Sequence, residues 1–222
     1  MNAFPLLEAW EELLPHQVHV SAGPYLSLAS QPLTQLEKSS AGPLSADRTQ
    51  ELETGRFYAK QALSRLGIPT IDLPMSPSRI PLWPEGTIGS ITHVKKRAEG
   101  GHCAAAVGRA SDVHAIGIDA EYDTGFDARL WPTVLTTLEL GQLRSISVEG
   151  REVEAIKRWC VKEAVTKAAQ RVIEPMEIDT EPSYEGGWYE ATTSCEPGST
   201  CRWIARTIRL NGFILASVIV PR

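Results

Sequence analysis

The chain has 222 residues, of which 42% are hydrophobic and 22% charged, a balance typical of a globular protein and not of a disordered or fibrous one. Its 22 basic and 27 acidic side chains give a net charge of −5, which does not favour nonspecific binding to nucleic acid or to anionic membranes. The longest nearly apolar run is residues 213–220, whereas a helix that crosses a membrane needs about 20 residues. A polyanionic ligand would therefore have to meet a local cluster of basic side chains.

Two features bear on the compartment. Residues 1–15 carry three glutamates and lack the basic start and apolar core of a secretory signal. The four cysteines show no CxxC spacing, which favours reduced thiols, with a disulfide between Cys195 and Cys201 as the alternative. We therefore expect a cytoplasmic protein.

The first half of the chain predicts helices followed by strands. An amphipathic segment opens the chain at residues 4–14, and a loop rich in Ser, Pro and Gly follows it. A helix is expected to begin near Ser45, which can cap it, and to end at Gly67. The five prolines of residues 69–86 indicate an ordered loop, after which strands are expected at residues 87–93, 103–107 and 116–121.

The second half repeats this order. Helical patterns cover residues 131–143 and, more strongly, residues 151–171. The last forty residues are β-like, and Asn211-Gly212 predicts a hairpin between residues 201–210 and 213–220. The order predicts an α+β protein of two lobes, residues 1–115 and residues 116–222.

Two carboxylates stand on the strand predicted at residues 116–121. Alternation along a strand places Asp119 and Glu121 on one face, roughly 6 to 7 Å apart. Like charges at this distance repel, and a divalent cation such as Mg²⁺ would make the arrangement favourable. The alternative is a strand end with two solvated acids.

A second constellation lies on the helix predicted at residues 151–171. Glu163 and Lys167 are four residues apart and so share one helix face. An ordinary surface ion pair is the alternative. Their neighbours, which include Trp159, Val161 and Val165, are mostly apolar and argue against a fully solvated face.

Basic and hydroxyl side chains cluster in the first half. Thr92 and His93 end a predicted strand and could hold a phosphate, although a lone histidine is more often structural. Arg48 and Arg56 lie about 12 Å apart along the helix that begins near Ser45, and Arg79 follows in the proline-rich loop. They could bracket two phosphate groups, and a solvated helix face is the alternative.

The order of these motifs resembles that of the 4′-phosphopantetheinyl transferases of the Sfp/EntD type. Arg48 and Arg56 are followed by Gly-Ser-Ile-Thr-His at residues 89–93 and by Gly-Ile-Asp-Ala-Glu at residues 117–121. Residues 159–168 then read Trp-Cys-Val-Lys-Glu-Ala-Val-Thr-Lys-Ala. The likeness runs from about residue 45 to residue 170.

The resemblance implies a fold and an activity. The fold would be two similar lobes related by a pseudo-twofold axis, each a small, mainly antiparallel sheet packed with helices. The activity would be Mg²⁺-dependent transfer of the phosphopantetheine arm of coenzyme A to a serine of an acyl carrier protein or peptidyl carrier domain, with release of 3′,5′-ADP. We expect a monomer that serves polyketide or nonribosomal peptide synthesis.

The resemblance also implies residue roles. Asp119, Glu121 and Glu163 would bind Mg²⁺, and Glu163 would also act as general base for the carrier serine. Lys167 would contact the diphosphate and steady the departing nucleotide, with Lys162 nearby. The remaining phosphate contacts to coenzyme A would come from Arg48, Arg56, Arg79, Thr92 and His93.

Charge complementarity suggests a carrier surface, because carrier proteins commonly present an acidic helix. Lys95, Lys96, Arg97, Lys157 and Arg158 are the candidate residues. Two other functions fit the same residues: a Mg²⁺-dependent phosphohydrolase or nucleotidyl transferase that needs no carrier protein, and a coenzyme A binding module without catalysis.

Overall fold

The computed structural model describes residues 4–27, 30–97, 100–183, 185–195 and 199–222, without the side chains of residues 95–97 and 100. The chain divides into two compact units, Met1–Ile116 with Pro221–Arg222, and Gly117–Val220. Each unit combines helices with a β-sheet, so the α+β class predicted from the sequence is confirmed. None of the helices in the described ranges is long and apolar enough to cross a bilayer.

The first unit is built on a three-stranded antiparallel sheet in the order β1-β3-β2. Three helices accompany it, and strand β4 begins in this unit and ends in the second. The elements are α1 (Phe4–Leu13), β1 (Val18–Pro24), α2 (Gln35–Ala41), α3 (Ala46–Arg65), β2 (Thr87–Arg97), β3 (Gly100–Arg109) and β4 (Val113–Tyr122).

Helix α3 packs on β3 and contributes one part of the core of the first unit. Ser45 caps it, because the Ser45 side chain accepts a hydrogen bond from the Arg48 backbone N–H. Ala59, Ala62 and Leu63 of α3 are fully buried against the small side chains of β3. Small residues on β3 let the helix lie close to the sheet. This packing sets the position of the polar side chains of α3.

The second unit holds a five-stranded sheet in the order β4-β8-β7-β6-β5, with antiparallel pairing from β5 to β8. The turn of the predicted hairpin has positive φ at Asn211 (51°) and Gly212 (83°), as a tight two-residue turn requires. The remaining elements are α4 (Trp131–Val134), α5 (Thr137–Arg144), α6 (Val148–Ala169), β5 (Ile178–Pro182), β6 (Trp188–Ser194), β7 (Thr200–Leu210) and β8 (Phe213–Pro221).

Helix α6 lies very close to strand β4 at Gly117. A Cβ atom at this position would lie 1.8 Å from the backbone oxygen of Ala164, so only glycine fits. Ala164 and Cys160 of α6 are themselves fully buried. The close approach brings the carboxylates of β4 beside the polar face of α6.

The structure differs from the predicted elements in three places. Strand β1 and helix α2 were not predicted and replace part of the expected N-terminal loop. The helix predicted at residues 131–143 is two helices, because Leu135 is extended and Thr136 starts α5 with a capping box to Glu139. Cys195 and Cys201 form a disulfide, the alternative to reduced thiols, whereas Cys103 and Cys160 are free and buried.

Candidate functional site

The centre of the candidate site is an ion pair between β4 and α6. Lys167 Nζ donates to Asp119 Oδ1 at 2.6 Å and to the backbone oxygen of Ile118 at 3.2 Å. The Asp119 side chain is 7% exposed and that of Lys167 is 28% exposed. An ammonium has three protons, and within the described residues Lys167 uses two of them, so one is left for a ligand.

Glu121 and Glu163 lie close enough to Asp119 for its charge to raise the pKa of each. Burial and the Asp119 charge raise the pKa of Glu121 to about 7, opposed by a hydrogen bond from the Trp159 side chain and by the Lys167 charge. Burial and the Asp119 charge also raise the pKa of Glu163, and Lys167 opposes this. The structure thus brings together the three carboxylates that the sequence singled out.

Lys167 balances only part of this negative charge. Burial by itself would lower the pKa of Lys167, but the charges of Asp119 and Glu163 outweigh it and raise that pKa, so the ammonium stays protonated. The Lys167 ammonium thus faces Asp119, Glu121 and Glu163. In the described ranges, however, no group of three or more His, Cys, Asp or Glu side chains is arranged ready to hold a metal ion.

Lys162 lies in a different environment from the one expected for a phosphate ligand. Its Nζ donates to Glu139 Oε2 at 2.6 Å and to the backbone oxygens of Val134 and Pro175, both at 2.9 Å. All three ammonium protons are therefore used, and the residue is fully buried. The sequence-based assignment of Lys162 to coenzyme A binding is corrected by this placement.

Arg158 does not lie on the surface that was expected to bind a carrier protein. Its side chain is 1% exposed and donates to the backbone oxygen of Thr180 at 2.7 Å, with Glu154 and Glu139 as acidic neighbours. It therefore belongs to the interior of the second unit and presents no charge to a carrier protein. Lys157 is partly exposed. The side chains of residues 95–97 lie outside the part of the chain described.

In the first unit, Arg48 and His93 share an acidic partner that the sequence analysis missed. Arg48 forms an ion pair with Glu51, and His93 Nε2 lies 3.4 Å from Glu51 Oε2. Helix α3 carries Arg48 and Glu51, whereas β2 carries His93. Glu51 stands three residues after Arg48, and this spacing places both on one helix face and could have indicated the pair.

Arg56 lines a cavity of about 270 Å³ together with Lys60 and Glu37, which form an ion pair. Lys60 Nζ lies 2.7 Å from Glu37 Oε1 at this cavity. Burial lowers the pKa of Arg56 to about 10, opposed by the Glu37 charge, so the guanidinium remains charged at neutral pH. Arg56 has an environment different from that of Arg48 and His93.

The two other predicted phosphate contacts differ in exposure. Thr92 is fully buried on β2, next to the partly exposed His93. Arg79 is exposed and has a positive φ of 62°. Its backbone N–H donates to the backbone oxygen of Ser76, and this bond closes a turn.

Two family models match the chain. Residues 42–108 match the 4′-phosphopantetheinyl transferase N-terminal domain, and residues 115–206 match the 4′-phosphopantetheinyl transferase superfamily. The two matched segments contain the site residues predicted from the sequence in both units of the structure.

Curated relatives match a shorter segment. The chain is 45% identical over 76 residues to the 4′-phosphopantetheinyl transferase Svp of Streptomyces mobaraensis, covering 33% of this chain and 28% of that protein. It is 40% identical over 76 residues to the 4′-phosphopantetheinyl transferase PptT of Mycobacterium tuberculosis, covering 34% of this chain and 31% of that protein. The aligned segment spans less than a third of the length of each of these relatives.

Solved structures of holo-[acyl-carrier-protein] synthases align with about half of the chain. The enzyme from Bacillus anthracis, in complex with CoA (3′,5′-ADP), is 19% identical with a TM-score of 0.41, covering 50% of this chain and 97% of that one. The enzyme from Neisseria meningitidis is 20% identical with a TM-score of 0.41, covering 50% of this chain and 99% of that one.

Proposed function

Because the chain belongs to the 4′-phosphopantetheinyl transferase superfamily, we propose that it transfers the phosphopantetheine arm of coenzyme A to a serine of an acyl carrier protein or peptidyl carrier domain. The observation that carries the proposal is the acidic cluster of Asp119, Glu121 and Glu163 with Lys167 bonded to Asp119 at 2.6 Å. Carrier domains of polyketide or nonribosomal peptide synthases are the proposed acceptors, and 3′,5′-ADP is the proposed product.

The donor atoms of the acidic cluster suit Mg²⁺, although the described residues are not arranged as a formed metal site. Carboxylate oxygens are the ligands that Mg²⁺ prefers. Burial and the Asp119 charge raise the pKa of Glu121 and Glu163, and a divalent cation would oppose both effects. Asp119, Glu121 and Glu163 are the residues that would hold it. The ion would supply positive charge to the diphosphate of coenzyme A.

Glu163 is the proposed general base. In the reaction, the oxygen of the carrier serine forms a bond to the phosphorus that bears the pantetheine arm, and the bond from that phosphorus to the bridging oxygen breaks. The bridging oxygen leaves with 3′,5′-ADP, and the serine proton passes to Glu163. Burial and the Asp119 charge raise the pKa of Glu163, which makes it a stronger proton acceptor than an exposed glutamate.

Lys167 is proposed to stabilise the leaving group. Its ammonium is held by Asp119 and Ile118, so it is oriented before the substrate arrives. Negative charge develops on the phosphoryl oxygens as the bond to the nucleotide breaks, and a fixed positive charge lowers the barrier.

The 3′-phosphate of coenzyme A is proposed to bind in the first unit. Arg48 and His93 already share one carboxylate, that of Glu51, and a phosphate would be a second anion for the same guanidinium and imidazole. Thr92, Arg56 and Arg79 complete the set of phosphate contacts that the family resemblance implies.

The test is transfer measured by intact mass. The protein is incubated with Mg²⁺, coenzyme A and a panel of apo carrier domains, and the wild type is expected to add one phosphopantetheine arm to at least one of them. Glu163→Gln is expected to lower turnover by about 10³-fold, the size of a general-base contribution.

Glu149→Gln is the matched control, because Glu149 is an exposed glutamate of the same helix. It should transfer at the wild-type rate. Hydrolysis of coenzyme A without any mass gain on the carriers would contradict the proposal and favour a phosphohydrolase. Coenzyme A binding without turnover in the wild type would favour a binding module.

A further inference from the structure

Helix α3 approaches strand β2 closely at Gly55. A Cβ atom at Gly55 would lie 3.1 Å from the Ile91 side chain, so the packing at this point leaves room only for a small residue. Glu51 precedes Gly55 by about one helix turn, and His93 follows Ile91 on the same face of β2. The close approach therefore also brings Glu51 opposite His93, with 3.4 Å between Glu51 Oε2 and His93 Nε2.

Glu51 is a buried carboxylate between two more exposed basic side chains. Its side chain is 9% exposed, whereas those of Arg48 and His93 are 55% and 35% exposed. The carboxylate accepts a hydrogen bond from Arg48 Nη1. A carboxylate that loses most of its water needs polar partners in exchange, and Arg48 and His93 supply them. The Glu51 charge is therefore fixed at the place where these two basic groups meet.

We propose that Glu51 is an internal counter-anion, which competes with the 3′-phosphate of coenzyme A for Arg48 and His93 and so limits the affinity for coenzyme A. This inference rests on the proposed function, which places that phosphate at the same two residues. Two anions beside one guanidinium and one imidazole repel each other, and the phosphate has to overcome this repulsion to bind. The proposed product 3′,5′-ADP carries the same phosphate, so the competition also favours its release.

Replacement of Glu51 by glutamine separates the charge from the shape of the side chain. Glutamine has the same length, and its amide oxygen can still accept the hydrogen bond from Arg48. The change therefore keeps the contact and removes one negative charge, so a phosphate should bind more tightly. Because Arg48 and His93 are partly exposed, water screens the repulsion, and we expect an effect of about fivefold.

The first test compares two ligands that differ only in the 3′-phosphate. Coenzyme A and 3′-dephospho-coenzyme A are titrated by calorimetry in the presence of Mg²⁺ and without a carrier. Glu51→Gln should bind coenzyme A about fivefold more tightly than the wild type and 3′-dephospho-coenzyme A within twofold of it. Glu8→Gln is the matched control, because it makes the same change at an exposed glutamate of α1, and it should bind both ligands within twofold of the wild type.

The dependence on salt distinguishes a charge effect from a change of shape. The ratio of the affinities of Glu51→Gln and the wild type for coenzyme A should approach one between 0.1 M and 1 M salt, because the Debye length falls from about 10 Å to about 3 Å. A ratio that does not change with salt would overturn the inference. Unchanged or weaker binding of coenzyme A by Glu51→Gln, or equally tighter binding of both ligands, would overturn it as well.

A second variant retains the negative charge. Glu51→Asp shortens the side chain by one methylene group, and its affinity for coenzyme A should stay within twofold of that of the wild type. If Glu51→Asp binds coenzyme A as tightly as Glu51→Gln is expected to, the charge is not the cause and the inference fails.

The wild type separates this inference from the proposed function. If the wild type binds coenzyme A more tightly than 3′-dephospho-coenzyme A and Glu51→Gln shows no gain, the inference fails and the proposed phosphate contacts stand. If the wild type binds the two ligands equally, the phosphate does not bind at Arg48 and His93, and those contacts fail together with the inference. Transfer to a carrier protein is measured separately by intact mass.

Discussion

Lys162 and Lys167 lie five residues apart on α6, and each forms an ion pair of 2.6 Å with an acid. The two pairs nevertheless differ in what surrounds them. Lys162 and Glu139 are 1% and 0% exposed, and every proton of the ammonium is used inside the fold. Lys167 and Asp119 are 28% and 7% exposed, and two further acids lie beside them.

The comparison shows how a structural ion pair can be distinguished from a candidate reactive one when the N–O distances are equal. Glu139 also accepts hydrogen bonds from the backbone of Thr136 and Thr180, so the buried pair ties α5, α6 and β5 together. Burial lowers the pKa of Lys162, which Glu139 opposes, whereas the acids around Lys167 raise its pKa. A complete set of partners marks the first pair as part of the core, and the neighbouring acids make the second pair the candidate site.

The substitution with the largest expected effect on stability removes the buried ion pair between Lys162 and Glu139. Lys162→Met should lower the free energy of unfolding by about 3 kcal/mol, because it removes the nearest positive charge from the buried Glu139 and leaves Arg158, at 3.9 Å, as its cationic neighbour. Chemical denaturation of the variant and of Lys157→Met, a change at a partly exposed lysine of the same helix, measures this. The control should lose less than about 0.5 kcal/mol. Equal losses would show that Lys162 is not part of a buried network.

A buried histidine in the first unit, His102, is expected to make the stability of the protein depend on pH. His102 is 3% exposed, and its Nε2 accepts a hydrogen bond from the Trp10 indole at 3.0 Å. Burial lowers the pKa of His102 to about 4 from an ordinary value of 6.5. Between pH 6.5 and pH 4 the unfolded chain therefore binds a proton that the native protein does not, and stability falls as the pH falls, by about 3 kcal/mol in total.

Denaturant unfolding between pH 7.5 and pH 4 tests this sign. His102→Gln keeps a hydrogen-bond acceptor for Trp10 and cannot titrate, so its stability should depend less steeply on pH than that of the wild type. His114→Gln, at an exposed histidine of β4, should keep the wild-type slope. If the free energy of unfolding depends on pH with the same slope in all three proteins, His102 is not the cause of the pH dependence.

The smallest expected effect on stability concerns the reactive pair. Lys167→Met should lower the free energy of unfolding by only about 1 kcal/mol, because water reaches the exposed part of this pair and screens the charge that remains. Transfer to a carrier protein should fall much more, by about 10²-fold, since the leaving group loses a fixed positive charge. A loss of stability as large as that of Lys162→Met would show that Lys167, like Lys162, belongs to a structural ion pair.

Local patterns predicted much of the fold. The apolar spacing and the Ser45 cap of α3, the apolar stripe of α6 and the Asn211-Gly212 turn all depend on neighbours a few residues away, and the structure confirms each of them. Helix α2 was missed because its short segment has no apolar periodicity, although Thr34 and Glu37 form a capping box there.

Side-chain partners were harder to predict than elements. Alternation along β4 correctly placed Asp119 and Glu121 together, since it is a local property of a strand. Lys162 was misassigned because it lies beside Glu163 in the sequence, yet a shift of one residue on a helix turns a side chain by about 100°. It therefore faces Glu139, which is 23 residues away in the chain.

The sequence by itself determined which residue types stand on which face of each helix and strand, and its family resemblance joined three acids and Lys167 into one proposed functional set. Only the tertiary structure decided which charges are satisfied inside the fold and which remain for a ligand. The reason is physical: local spacing fixes the direction of a side chain, but its charge state and partners depend on burial and on groups from distant parts of the chain, such as the 48 residues that separate Asp119 from Lys167.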